Sequence, residues 1–101
     1  MKQRFPVHPG RMVRSKAGRD AGRFMLVLAV EDETFALVAD GRLRTVAKPK
    51  RKKLLHLLAK PECAEDLRQR IESGQPILDA QVRAALKQAG YDQPDSPSKE
   101  G

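Results

Sequence analysis

Apolar residues fall along this chain in two distinct rhythms. From Phe24 to Val30 every position is apolar, and the segments around it mix apolar with charged residues. Two prolines in Phe5-Pro6-Val7-His8-Pro9 predict an extended lead-in over residues 1–9. Gly10 to Lys16 reads as a first strand that sends Met12 and Val13 to the core. Gly18 to Gly22 is a turn, because glycine takes positive φ readily. Phe24 to Val30 is a second strand and Glu31-Asp32-Glu33 a polar turn, with Thr34 to Ala39 as a third strand. Asp40-Gly41 is a two-residue hairpin signal of type I′. It predicts a fourth strand over Arg42–Val46, with Leu43 inward, Arg42 and Arg44 on the opposite face, and a bulge or an early end near Thr45. Pro49 stops pairing within a basic linker, and Lys53 to Leu58 is a fifth strand.

Beyond Pro61 the period changes to that of helices. Glu62 to Ser73 places Ala64, Leu67 and Ile71 on one stripe, opens on acidic residues, and is stopped by Gly74. A second helix takes Asp79 as N-cap, carries Val82, Ala85, Leu86 and Ala89, and stops at Gly90. Asp92 to Gly101 is rich in proline, serine and charge and is expected to be disordered. The expected division is therefore lead-in 1–9, barrel 10–60, two-helix appendage 61–91 and tail 92–101.

The unbroken run Phe24–Val30 carries a consequence. A strand wet on one face alternates, so this one is covered on both faces. A small barrel buries only the inner face, which predicts that residues 62–89 pack on the outer one.

Charge divides the chain in the same place. Residues 1–60 hold 15 Lys/Arg against five Asp/Glu, and residues 61–101 hold five against eight. A basic half suited to a polyanion is joined to a mildly acidic half. No apolar run is long enough to span a bilayer, and the first residues do not read as a signal peptide. With the single Cys63 having no partner for an internal disulfide, a cytoplasmic location is expected.

Catalytic chemistry finds no constellation: no Ser/His/Asp set, no phosphate loop ending in Gly-Lys-Ser/Thr, no carboxylate pair in an apolar setting. No enzyme activity is expected, and no cofactor. His8, His56 and Cys63 lack companions at zinc-ligand spacing, and His56 reads as a packed or rim histidine. Phe5, Phe24, Phe35 and Tyr91 are the only aromatics, so base stacking is sparsely provided for.

The run Lys48-Pro49-Lys50-Arg51-Lys52-Lys53 puts five positive charges in six residues. Read alone, it is a solvated charge run or a phosphate-binding one; membrane attraction would need an anchor that is not evident. Arg19 and Arg23 flank Asp20 in the glycine turn, either as an exposed ion pair or as forks for phosphate.

Taken together, Ala17-Gly18-Arg19-Asp20-Ala21-Gly22-Arg23, Asp40-Gly41, the basic run and Leu54-Leu55-His56-Leu57 resemble a KOW motif. The lineage is that of the fourteenth large-subunit ribosomal protein of archaea and eukaryotes and its short bacterial relatives. The likeness covers residues 9–58, and Leu55 stands where that pattern commonly has lysine. It implies a mainly β fold, a five-stranded SH3-like barrel followed here by two short helices. It also implies an RNA-binding role at the ribosome, on ribosomal RNA and beside ribosomal proteins, by a monomer. The contacts it implies are Lys16, Gly18, Arg19, Gly22, Arg23, Arg42, Arg44, Lys48, Lys50, Arg51, Lys52 and Lys53. The alternative is a protein-binding KOW module that docks on a transcription or translation factor.

Overall fold

The structure is a computed structural model and describes residues 4–91. Five antiparallel strands form one sheet: β1 (Arg11–Ser15), β2 (Phe24–Val30), β3 (Phe35–Ala39), β4 (Lys50–Lys53) and β5 (Leu57–Cys63). Their order is β4-β3-β2-β1-β5, so the chain meanders through four strands and returns β5 to the open edge of β1. Helices α1 (Glu65–Glu72) and α2 (Asp79–Gln88) follow. This is the fold class expected, a mainly β, barrel-like domain with two C-terminal helices. The expected tail 92–101 lies outside the described residues, as do residues 1–3 of the lead-in.

The apolar run of β2 divides between two clusters. Met25 and Val27 join Val13, Ala36, Val38 and Leu57 in the sheet interior. Leu26 points the other way and, with Met12, packs against Leu67 of α1, Ile77, and Val82 and Leu86 of α2. Burying a side chain of this size stabilises the fold by about 1.5–3 kcal/mol. Tyr91 closes the far end: its ring stacks on Phe24 with centroids 4.4 Å apart. Its hydroxyl donates to Glu62. Burial, then the Glu62 carboxylate, push the phenol up to about 12.

Two glycines let these layers approach. A Cβ on Gly10 (φ +90°) would lie 2.7 Å from Arg68 Cβ, and one on Gly41 (φ +79°) 2.6 Å from the Asp79 carbonyl oxygen. Arg11, largely buried, ties the lead-in to β5 by donating to the carbonyls of Pro6, Lys60 and Pro61.

Several elements depart from expectation. Arg42–Val46 is not a strand, and Leu43 is 68% exposed instead of inward. Only Gly41 has positive φ, so Asp40-Gly41 does not form the type I′ turn, which needs it at both positions. The partner of β3 is the basic run itself, with Phe35 opposite Lys53 and Leu37 opposite Arg51. Residues 54–56 make a 3-10 turn and β5 begins only at Leu57. Pro61 does not separate barrel from appendage but lies inside β5. That strand is at the edge of the sheet, where a missing N–H is tolerated, and the register against β1 shifts there. α1 consequently starts later than Glu62. Asp79 is not the N-cap: Leu78 is, its amide held by the Gln81 side chain.

The two-sided burial of β2 has a measurable consequence. Replacing Leu67 by alanine should lower unfolding free energy in urea by about 2–5 kcal/mol. Amide exchange at Leu26 and Val27 should quicken with it; a variant that loosens α1 alone would contradict this packing.

Candidate nucleic-acid interface

The glycine turn is built tightly on the barrel. Gly18 and Gly22 have φ of 76° and 88° and bracket a 3-10 turn at Gly18–Asp20. The Gly22 amide donates to the Ser15 carbonyl (2.8 Å), and the Ser15 amide to that of Arg23 (2.9 Å). Arg23 then turns inward. The residue is 6% exposed, and its guanidinium donates through Nε (3.0 Å) and one terminal nitrogen (2.6 Å) to Asp40 Oδ2.

Asp40, only 1% exposed, uses its other oxygen to accept the amides of Arg42 and Arg44, each at 2.9 Å. Burial acts to raise this carboxyl, but the two amides and the Arg23 guanidinium outweigh it and hold the group below the usual carboxylate range. These bonds fold residues 40–46 into a compact loop where a strand was expected. The loop is seated on α2: the Val46 amide donates to Asp79 Oδ1 (2.7 Å), and Arg83 donates to the Gly41 carbonyl (2.7 Å). Asp79 therefore serves the loop in place of its own helix.

From this loop Arg44 reaches back to the glycine turn, with 3.2 Å between its terminal nitrogen and the buried Asp20. Lys52 enters the same space from β4 and donates to the Ala17 carbonyl (2.8 Å). It is 7% exposed. Burial lowers its ammonium pKa, Asp20 opposes that, and Lys50 and Arg44 add to it.

The result is a hollow of about 390 Å³ between the glycine turn and β4. Arg19, Arg44, Lys50, Arg51, Lys52 and Lys53 line it against the single carboxylate of Asp20, with Gly18, Phe35 and His56 completing the wall. Arg51 lies over the Phe35 ring, 3.6 Å from its centroid, and its Nε donates to Glu31 (2.7 Å). Such a concentration of one sign in a concave site raises the local potential for an anion.

The candidate contact residues thus fall into groups. Gly18, Arg19, Arg44, Lys50, Arg51, Lys52 and Lys53 share the hollow. Lys16, Gly22, Arg42 and Lys48 do not line it, and Lys16, Arg42 and Lys48 are exposed. Arg23 is contradicted as a surface contact, because it is buried against Asp40; Lys52, buried with its ammonium on the Ala17 carbonyl, presents little surface either. Arg42 and Arg44 do not project together, since the segment between them is a loop. Phe35, Asp20 and His56 were missed as parts of the site. The signal for Phe35 was available only through register: it sits opposite Lys53 once the basic run is a strand.

Among the described residues no group of three His, Cys, Asp or Glu side chains is placed to hold a metal ion. No described helix is long and apolar enough to cross a membrane. No protein-family model matches the chain.

The pH dependence of Asp40 follows from its depressed pKa. A group lowered in the folded state adds stability above its unfolded pKa of about 3.9 and loses it as pH falls through the folded value. Asp40→Asn should therefore cost about 3–5 kcal/mol at pH 7, as the loss of a buried ion-pair partner does. Urea unfolding of both proteins should show the gap narrowing below about pH 4. A gap that does not change with pH would mean the charge is not what Asp40 contributes.

Proposed function

We propose that this protein binds RNA through the cationic hollow between its glycine turn and β4, by phosphate backbone and shape. The observation that carries this reading is the lining itself: six cationic side chains against one carboxylate, which is already paired with Arg44. Arg19, Lys50 and Lys53 have no carboxylate partner among the described residues. An edge strand of lysines also discourages pairing with another chain, but that role needs neither the concavity nor the converging Arg19.

The resemblance carried by Gly18–Arg23, Asp40-Gly41, the 48–53 run and Leu54–Leu57 supports ribosomal RNA as the target. It supports the ribosome or its assembly as the setting, in the cytoplasm, with ribosomal proteins as neighbours and a monomer as the binding form. Arg23 keeps a place in this reading as the anchor that fixes the turn, while Arg19 meets phosphate.

A second reading, docking on a protein, is favoured by one feature. Between the start of α1 and the face of α2 lies a groove of about 510 Å³, with Glu62, Glu65 and Asp66 on its lip and Met12, Ala64 and Ala85 along its floor.

Charge reversal separates the two. Replacing Lys50, Arg51 and Lys53 by glutamate spares Lys52, which is structural. RNA binding measured by anisotropy should fall more than about tenfold. For the wild type, log K should decline against log salt with a slope of about −3 to −4, as expected when roughly four phosphates are neutralised. An Ala84→Arg change in the groove should leave RNA binding alone. Salt-independent binding, or loss of function only on the groove change, would favour the protein-docking reading instead.

A further inference from the structure

The pairing of Arg51 with both Phe35 and Glu31 is an unusual arrangement for a phosphate ligand. The guanidinium plane rests on the Phe35 ring at a single-layer distance of 3.6 Å to the centroid, while Glu31 holds its Nε edge at 2.7 Å. One face is thus occupied and one edge is tied. The Arg51 side chain is still 55% exposed and lines the hollow, so with one face on Phe35 and one edge on Glu31 the surface it leaves for a ligand is the uncovered face.

Charge decides what that face accepts. A phosphate approaching Arg51 meets the Glu31 carboxylate beside it and finds the bidentate edge partly used. A neutral aromatic ring meets neither obstacle, and a guanidinium plane is a good surface for stacking a nucleobase. Close by, Arg19, Lys50 and Lys53 line the hollow without carboxylate partners among the described residues, at the place where the backbone of such a nucleotide would pass. In a continuous A-form helix base faces are hidden by their neighbours, and only an unstacked base can use an open plane.

We propose that Arg51, supported by Phe35, is a stacking platform for one unpaired RNA base, with Arg19, Lys50 and Lys53 holding the phosphates on either side. The proposal rests on the RNA-binding reading and narrows it: the preferred target is a bulge or loop within structured RNA, not uniform duplex. It also supplies a stacking surface that a count of aromatic residues passes over.

Two RNA hairpins of identical stem, one fully paired and one with a single bulged adenosine, test it by fluorescence anisotropy on the full chain. The wild type should bind the bulged hairpin about tenfold more tightly, within the range for one stacked base. Arg51→Lys keeps the charge and loses the plane, so the ratio of the two affinities should fall to about one. With 2-aminopurine at the bulge, binding of the wild type should quench its fluorescence, an observation that depends on no variant. Equal affinity for the two hairpins, an unchanged ratio in Arg51→Lys, or absence of quenching would each overturn the platform while leaving phosphate binding standing. Failure to bind either hairpin would overturn the RNA reading and the platform with it.

Discussion

The buried contact between Arg23 and Asp40 is the constraint on which the rest of this structure depends. It joins the residue just before β2 to the residue just after β3, and almost no water reaches either group. An isolated charge in that position would be expensive; a charge that meets its opposite and also holds backbone amides is not. Asp40 meets both conditions, with the guanidinium on one oxygen and the Arg42 and Arg44 amides on the other. The same carboxylate therefore fixes the end of the glycine turn and the path of the 40–46 loop. Arg44, aimed by that loop, reaches Asp20 and returns the constraint to the turn from which Arg23 departs.

This circuit connects the cationic hollow to the helical layer. Gly41 and Val46, on either side of Arg44, are the points where the loop meets α2, through Arg83 and Asp79. The helices do more than shield Leu26 and Met12 from water. They hold from behind the loop that carries Arg44 toward the hollow. Loosening α2 would therefore disturb the wall of the hollow even though no residue of α2 lines it.

What could be read from the sequence and what could not divide along physical lines. The mainly β class, the glycine turn and the second strand were legible because each rests on local rules: positive φ at glycine and an uninterrupted apolar run. The stops at Gly74 and Gly90 were legible for the same reason. The segment 40–53 was not. Asp40-Gly41 carries a strong local hairpin signal, but a buried arginine distant in sequence claims the aspartate, and its carboxylate takes the amides of Arg42 and Arg44. Leu43 then lost its place in the core. The basic run was read as a linker since five charges and a proline resemble no ordinary strand. It forms an edge strand because its side chains stand at the sheet margin, where Arg51 and Lys53 remain in water. Arg23 stands apart from the surface cations for a related reason. Composition counts cations but not their partners, and Arg23 looks the same as Arg19 until Asp40 is placed beside it.

The distribution of those partners sharpens the meaning of the net charge. Arg11, Arg23, Arg44, Arg68 and Arg83 donate to carbonyls or carboxylates of the fold. Their donors are committed to the fold, and the arginines do most of the architectural work because a planar fork can satisfy two acceptors at once. The lysines of β4 and Arg19 are left to repel one another across a concave surface, and the Lys52 ammonium pKa is lowered by burial first, against the pull of Asp20, with Lys50 and Arg44 lowering it further. A hollow kept in that condition is unfavourable in isolation and becomes favourable when an anion enters. Folding this chain therefore leaves a defined part of its positive charge uncompensated, and it does so beside Arg51, whose charge is met by Glu31 while its side chain stays exposed.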